Sequence, residues 1–462
     1  MSVSLKRGIA IVFAANVINM LFSVISNFIL PKYLSIESYG YYKIYMLYIG
    51  YLGFVHLGFV DGIYLRYGGK EVSTINSSRL LKESVTLRNS QLLLTAIVLI
   101  GAVCMRNPIA VLLAFACVPV NMIAFYKSLF QATGRFKDYG LVLSLLPMLI
   151  FVCNVVLLFC IKTDNYLFYI SIVLFANLFL YLYLEWNSHL LLGKNKFFTF
   201  DWEVFRENVQ TGFTLMTGNF ASLLITSIDR WFIQLWMSIS AFSFYSFAVS
   251  VENLFNVCVS AVTTTLYNHL CREKENAKIV KLKSTCVVIG IYLIAVAFPV
   301  KWIIGYWLQK YSAATDSLFI LICAHMFYFV VKAIYVNLYK ARGLQKHYSY
   351  QMIFVLSVAT LSGIIAYWGI SKSIESFAWS SLFTAIIWFS ICYKEFKAIR
   401  GNWHEILLMS ICAVVYLYMG LCVENAVWGC VCYLLIATIC VIMFDRESLL
   451  RLIGICMKPV FK

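Results

Sequence analysis

Six ionisable side chains lie inside long apolar runs of this chain: Asp61, Asp229, Arg230, Glu252, His325 and Lys332. An unpaired charge in hydrocarbon costs at least ~2.5–3.5 kcal/mol. Such residues are kept where they bind an ion or a charged substrate along a membrane path, or where they neutralise one another as a static pair. Both roles are open for all six. Asp61 and Asp229 also suit neutralisation of a nearby base. His325 suits a satisfied core position as well as a proton carrier.

Uncharged polar residues extend the pattern. At ~100° per residue, Asn219, Ser222, Thr226, Asp229 and Arg230 fall on one side of a helix. Asn16, Asn19, Ser23, Ser26 and Asn27 take the equivalent arc of an earlier run, without charge. Glu252, Asn256, Ser260, Thr263 and Tyr267 form a third stripe, and His325 and Lys332 share a face. Polar faces in hydrocarbon must meet protein or a water-filled cavity. The asparagines also suit interhelical glue. Tyr41, Tyr45 and Tyr48 start at the end of their run, where an interfacial aromatic belt accounts for them.

The elements that must position these residues follow from composition. Of 462 residues, 62% are hydrophobic and 13% charged, against about 45–50% and about 25% in soluble domains. Mean hydropathy is +0.83. These values exclude a soluble globular domain, a disordered chain, a collagen and a nucleic-acid-binding protein. The formal charge of +16 is then first a topology signal. The 15 cysteines form no CxxC and no Cys/His cluster with zinc spacing. They read as small apolar residues in helices, and neither a metal nor another cofactor is expected.

A bilayer core needs about 20 apolar residues per helix. Fourteen runs of about that length occur, at roughly 8–30, 41–65, 90–105, 107–130, 140–161, 165–187, 211–237, 241–270, 284–304, 314–339, 348–370, 375–393, 405–423 and 425–444. The chain therefore reads as an all-α polytopic membrane protein with about 14 transmembrane helices. Its first run follows Lys6 and Arg7 and exceeds the ~7–15 residues of a signal-peptide core, so it reads as an uncleaved span. With both termini placed in the cytoplasm, the cytoplasmic segments hold about four times as many Lys and Arg as the outer ones. Outer loops are short, the longest being 31–40, which leaves no room for a large outer catalytic domain. Pro119, Pro147 and Pro299 fall inside runs and predict kinks.

The sequence also repeats. LSIESYGYY (34–42) matches MSISAFSFY (237–245), and LFQATGRFKDY (129–139) matches LYKARGLQKHY (338–348) at nearly the same offset. The unit is six spans, an even number, so the halves are parallel. The expected layout is an N-lobe at 1–192 (spans 1–6), a cytoplasmic amphipathic linker at 193–210 and a C-lobe at 211–396 (spans 7–12). Spans 13 and 14 and a tail fill 397–462. In the linker, Phe198, Trp202, Phe205 and Val209 recur at helical spacing, as in a helix lying on the membrane surface. Two-lobed parallel repeats belong to transporters, whose substrate sites lie between the lobes near the bilayer midplane.

The basic start, LPKYLSIESYGYY, the LFQATGRFKDY block, SIDRWFIQLW followed by SFYSFAVSVENLF, and the six-plus-six-plus-two layout resemble a known group. It is the polysaccharide-transporter branch of the multidrug/oligosaccharidyl-lipid/polysaccharide exporter superfamily, with the O-antigen (Wzx-type) flippases as the nearest members. The resemblance implies undecaprenyl-diphosphate-linked oligosaccharide as cargo, turned from the cytoplasmic to the periplasmic leaflet of the inner membrane. It also implies alternating access coupled to H⁺ or Na⁺, and a polysaccharide polymerase and chain-length regulator as partners. On that basis Arg230 and Lys332 would hold the anionic head, Arg with bidentate contacts and Lys as a point charge. Asn16, Asn19, Asn219 and Asn256 would meet sugar hydroxyls. Glu252, Asp229, Asp61 or His325 would take the coupling ion. Where many relatives carry a proline after span 8, this chain reads LYNHL.

Three other readings compete. A membrane glycosyltransferase or polymerase needs a long outer loop. A drug exporter needs an acidic cavity. A peptidoglycan-precursor flippase of the same superfamily needs a more densely cationic one.

Overall fold

The computed structural model describes residues 3–70, 75–192, 200–400 and 403–456. Phe198 and the side chains of Lys6, Arg7, Ser260 and Tyr267 lie outside the described residues. Among the described residues all regular structure is helical. Eleven helical segments among the described residues are long and apolar enough to cross a membrane, and the chain is a multi-pass membrane protein. Of the other three runs expected to span, 41–65 and 211–237 are broken into shorter helices, and 241–270 forms one continuous helix, Ile239–Arg272. The chain divides into two compact units, Met1–Ser222 and Leu223–Lys462.

The first unit holds α1 (Val3–Tyr33), α2 (Ile36–Leu52), α3 (Phe59–Tyr67), α4 (Ser77–Cys104), α5 (Pro108–Ala132), α6 (Phe136–Val156), α7 (Tyr166–Leu192) and most of α8 (Trp202–Ile225). Helix α5 is its hub and touches α2, α3, α4, α6 and α7. Met122, Phe125 and Tyr126 of α5 meet Phe59 of α3 and Leu180 of α7 in a buried core. Phe205 and Val209 pack against that core, while Trp202 stays 65% exposed. The amphipathic stretch expected to lie along the membrane surface is thus the first part of α8, held on the first unit.

The second unit holds α9 (Ile228–Trp236), α10 (Ile239–Arg272), α11 (Asn276–Leu293), α12 (Ala297–Trp307), α13 (Thr315–Val330), α14 (Asn337–Ala341), α15 (Gln345–Ile365), α16 (Ile374–Glu395), α17 (Trp403–Leu421) and α18 (Ala426–Cys456). Its hub is α13, buried without interruption from Ser317 to Val330 and touching α10, α11, α12, α16 and α17. A helix apolar all round belongs in such a core. The last two helices pack on α11, α12 and α13. There Lys283 and Glu405 form a buried ion pair of 2.8 Å. A short 3₁₀ stretch at Ile294–Val296 separates α11 from α12. It lies where Pro299 cannot donate to the carbonyl of Ala295, so the expected kink takes this form.

Both repeated blocks form the same local structure twice. The Ser35 hydroxyl accepts from the Ser38 amide at the start of α2, and the Ser238 hydroxyl from the Ala241 amide at the start of α10, each at 3.2 Å. In the second block Gly134 (φ 71°) and Gly343 (φ 70°) take the left-handed conformation that ends a helix. The next amide turns back in each copy: Arg135 to the Phe130 carbonyl and Leu344 to the Tyr339 carbonyl, both at 2.9 Å.

Two runs read as single spans are broken. The 41–65 run splits into α2 and α3 across residues 53–58, where Leu57 (φ 55°) and Gly58 (φ 91°) turn left-handed. The His56 Nδ1 accepts from the Gly58 amide at 3.1 Å and pins this turn. Gly58 and Gly62 lie against Gly212 of α8 so closely that a Cβ on Gly212 would overlap their backbone. Small residues four apart allow such backbone approach. The 211–237 run splits into α8 and α9 at Ser227, whose hydroxyl bonds the Leu223 carbonyl at 2.6 Å instead of continuing the helix.

Candidate functional site

Both breaks place a carboxylate at a fresh helix start. Asp61 lies in the first turn of α3, and Asp229 in the first turn of α9. A negative charge there meets unpaired amides and the positive end of the helix dipole. The Asp229 Oδ1 accepts from the Arg230 amide at 2.7 Å, and its Oδ2 accepts from the Tyr245 hydroxyl of α10. Asp61 accepts from the Asn219 amide group at 3.3 Å.

In the second unit, α8, α9, α10, α13 and α16 enclose a cavity. Five of the sequence-predicted residues line it: Asp229, Glu252, Asn256, His325 and Lys332. The His325 Nε2 and Glu252 Oε1 are 2.6 Å apart. Lys332 donates to the Asn256 oxygen at 3.3 Å and sits 5.6 Å from the centre of the Tyr328 ring. Lys332 belongs to a π-helical turn, Val331–Val336, within the span that follows α13. Such single wide turns free backbone groups and recur at functional sites. The free volume is about 20 Å³, room for one water and far below the ~300–1,000 Å³ of small-molecule pockets. In this state the cavity can hold an ion or a water, and a sugar requires it to open.

The remaining candidates lie elsewhere. Arg230 is outside this lining, and its Nε is buried without a hydrogen-bond partner among the described residues. Asn16 is exposed, and Asn19 accepts from the Ser23 hydroxyl at 3.2 Å within its own helix. Asn16, Asn19, Asp61 and Asn219 all belong to the first unit.

Tyr245, Tyr328, Ser381 and Trp388 complete the surroundings without having been singled out. Tyr328 bonds the Ser381 carbonyl at 3.3 Å, and Trp388 lines the cavity. A signal did exist for the tyrosines. Tyr245 precedes Glu252 by two turns on α10, and Tyr328 stands between His325 and Lys332 at i+3 and i−4. Ser381 and Trp388, on a helix without inward charge, had none.

A second charged cluster in the first unit was also missed. Glu83, wholly buried, accepts from the Tyr67 hydroxyl at 2.7 Å and pairs with Arg79 at 3.4 Å. Glu207 of α8 pairs with Arg66 at 3.1 Å and with Arg79.

Comparison with known proteins places the chain as a whole. Residues 5–267, more than half of the chain, match the family described as "Polysaccharide biosynthesis protein". The fold is similar to a solved structure of the lipid II flippase MurJ in an inward closed conformation. That match has a TM-score of 0.70 at 14% identity and covers 97% of this chain and 100% of that one. It is also similar to an inward-facing multidrug resistance MATE family transporter of the MOP superfamily, with a TM-score of 0.52 at 12% identity, covering 82% and 95%. The MATE transporter ClbM in complex with Rb⁺ gives 0.52 at 12%, covering 85% and 93%. At these identities the likeness is one of fold. No curated protein sequence matches the chain.

Proposed function

Because this chain belongs to the polysaccharide biosynthesis protein family, we propose that it is a flippase for undecaprenyl-diphosphate-linked oligosaccharide repeat units. It turns them from the cytoplasmic to the periplasmic leaflet of the bacterial inner membrane, with both termini in the cytoplasm. The surface polymer is O-antigen or a related polysaccharide. The single observation that carries this reading is the family match over residues 5–267 on a helical transporter fold.

The site residues take distinct roles. Glu252, His325 and Asp229, gathered at one small cavity, take the coupling H⁺ or Na⁺. Asp61, at the matching helix start of the first unit, is the second candidate for that ion. Arg230 and Lys332 hold the diphosphate. Asn16, Asn19, Asn219 and Asn256 offer donors and acceptors to sugar hydroxyls. The ion-sized cavity fits coupling to the larger movement of cargo, because occupation by a cation changes the charge balance among Asp229, Glu252 and Lys332. The protein performs no covalent step. A polymerase and a chain-length regulator consume what it delivers.

Deleting the gene tests the reading. Lipid-linked repeat units should accumulate on the cytoplasmic leaflet while surface polysaccharide is lost. Normal surface polysaccharide in the deletion strain would overturn it. One observation favours a second reading, export of a small organic cation: Asp229 and Glu252 outnumber Lys332 at the cavity. Drug sensitivity with intact polysaccharide would select it. Growth arrest with lost wall precursor export would instead point to a peptidoglycan-precursor flippase.

A further inference from the structure

A larger cavity of the second unit lies away from the polar site. A groove of about 600 Å³ runs between α16 and α17, with α13 at its base. Leu382, Ile386 and Phe389 form one wall, and Met409, Val414 and Leu417 the other. It shares no residue with the cavity of Asp229 and Glu252. From Trp379 to Lys394 it follows α16 for about 22 Å at ~1.5 Å per residue. One leaflet of hydrocarbon is about 15 Å deep, so a lipid chain can lie along its whole depth. Trp379 (45% exposed) and Val414 (67%) leave it open along its side, as entry from the bilayer requires.

Charge marks one end. Lys394 and Arg400 line the groove where α16 finishes, and among the described residues no Asp or Glu lines it. Among the described residues Arg400 is held there without an ion pair. Its Nε donates to the Tyr393 carbonyl and its Nη2 to the Lys394 carbonyl, both at 3.4 Å, and the guanidinium lies 5.3 Å from the centre of the Tyr393 ring. Its remaining donors are positioned for an oxyanion. The distribution of Lys and Arg puts this end on the cytoplasmic side. Apolar grooves with basic mouths on that side suit anionic lipid head groups.

The geometry points to a resident anionic phospholipid of the cytoplasmic leaflet: one acyl chain in the α16–α17 groove, its phosphate on Lys394 and Arg400. This site is additional to any transport path, and it does not depend on what the protein carries.

The test uses the full-length protein in detergent. Native mass spectrometry is run after equilibration with either phosphatidylglycerol or phosphatidylcholine. Phosphatidylglycerol should be retained and phosphatidylcholine should not. The double variant K394Q/R400Q should weaken retention about 30-fold, taking ~1 kcal/mol per basic residue and ~1.4 kcal/mol per tenfold. Arg400→Lys keeps the charge and should stay within about threefold of wild type. Ser390→Trp fills the groove from its exposed side and should abolish retention in protein with an unchanged helical spectrum. Equal retention of both lipids, or retention insensitive to K394Q/R400Q and to Ser390→Trp, overturns the proposal. Displacement of phosphatidylglycerol by an undecaprenyl diphosphate at equal concentration also overturns it, since the groove would then belong to the cargo.

Discussion

Glu252 of α10 and His325 of α13 meet at 2.6 Å, Oε1 to Nε2, across the most enclosed helix of the second unit. One proton lies between them whichever group carries it, and Lys332 lines the same cavity one helix turn beyond Tyr328. Substitution with Gln keeps the shape and hydrogen-bonding reach of Glu252 while deleting its charge. Under cation coupling, Glu252→Gln should lower surface polysaccharide at least tenfold in a complemented deletion strain, at unchanged membrane abundance. Wild-type polysaccharide with Glu252→Gln would make the pair a static one.

Lys332 gives a contrasting prediction. Among the described residues its ammonium contacts the Asn256 oxygen and the Tyr328 ring, and the Glu252 carboxylate acts on it across the cavity without a direct ion pair. Lys332→Gln therefore removes a charge without breaking a direct ion pair. Thermal stability should change by less than about 1 kcal/mol, whereas loss of a full ion-pair partner costs about 3–5 kcal/mol. Export should fall at least tenfold, and Lys332→Arg should recover part of it. Loss of stability together with abundance would assign Lys332 to structure.

Hydropathy made the helices legible, and a short sequence repeat made the two matching capped starts and left-handed glycine exits legible. Each of these signals is local. Glu252, His325, Lys332 and Asn256 were legible as inward faces because period 3.6 alone collects them on one side of a helix. The helix breaks were not legible. Gly58 and Gly62 read as two ordinary glycines until Gly212, about 150 residues later, is laid against them. Ser227 stood outside the stripe of Asn219, Ser222, Thr226, Asp229 and Arg230 and carried no signal of its own. The Glu83 cluster escaped for another reason. Its members sit near helix ends rich in basic residues, where charge counts toward topology, and only the fold brings α8 back to cover Glu83.

The glycine contact makes its own prediction. A Cβ on Gly62 would overlap the Asn208 carbonyl, and one on Gly212 would overlap the Gly58 carbonyl oxygen. Backbone cannot step aside as a flexible side chain does. Gly62→Ala and Gly212→Ala should each destabilise the protein by at least about 1–3 kcal/mol, read as a lower melting temperature in detergent. Gly69, which has open space around it but φ of 77°, should cost less, about 1 kcal/mol. Equal effects at Gly62 and Gly69 would show that close packing is not what requires glycine.

Glu83 separates hydrogen bonding from charge. Its carboxylate is wholly buried and meets Tyr67, Arg79 and Asn208. Glu83→Gln keeps an acceptor for Tyr67 and should cost about 1–3 kcal/mol. Glu83→Ala leaves the Tyr67 hydroxyl and the Asn208 amide without that acceptor and should cost about 3–5 kcal/mol. The difference between the two variants, measured by thermal unfolding, should shrink when Arg79 is also replaced by Ala. Identical losses in both variants would mean that volume, not polarity, is what Glu83 contributes.

The two serine caps test the repeat itself. Ser35 and Ser238 occupy matching positions of one repeated block, and each hydroxyl accepts one amide at 3.2 Å. A lost N-cap costs about 0.5–2 kcal/mol. Ser35→Ala and Ser238→Ala should each lower stability by about 1 kcal/mol. Because the caps belong to different units and share no partner, the double variant should lose the sum of the two within about 0.5 kcal/mol. A Ser→Asn change at either position should be nearly neutral, since Asn caps as well as Ser does. A large loss at one cap and none at the other would mean that the repeat survives in sequence while only one copy still depends on it.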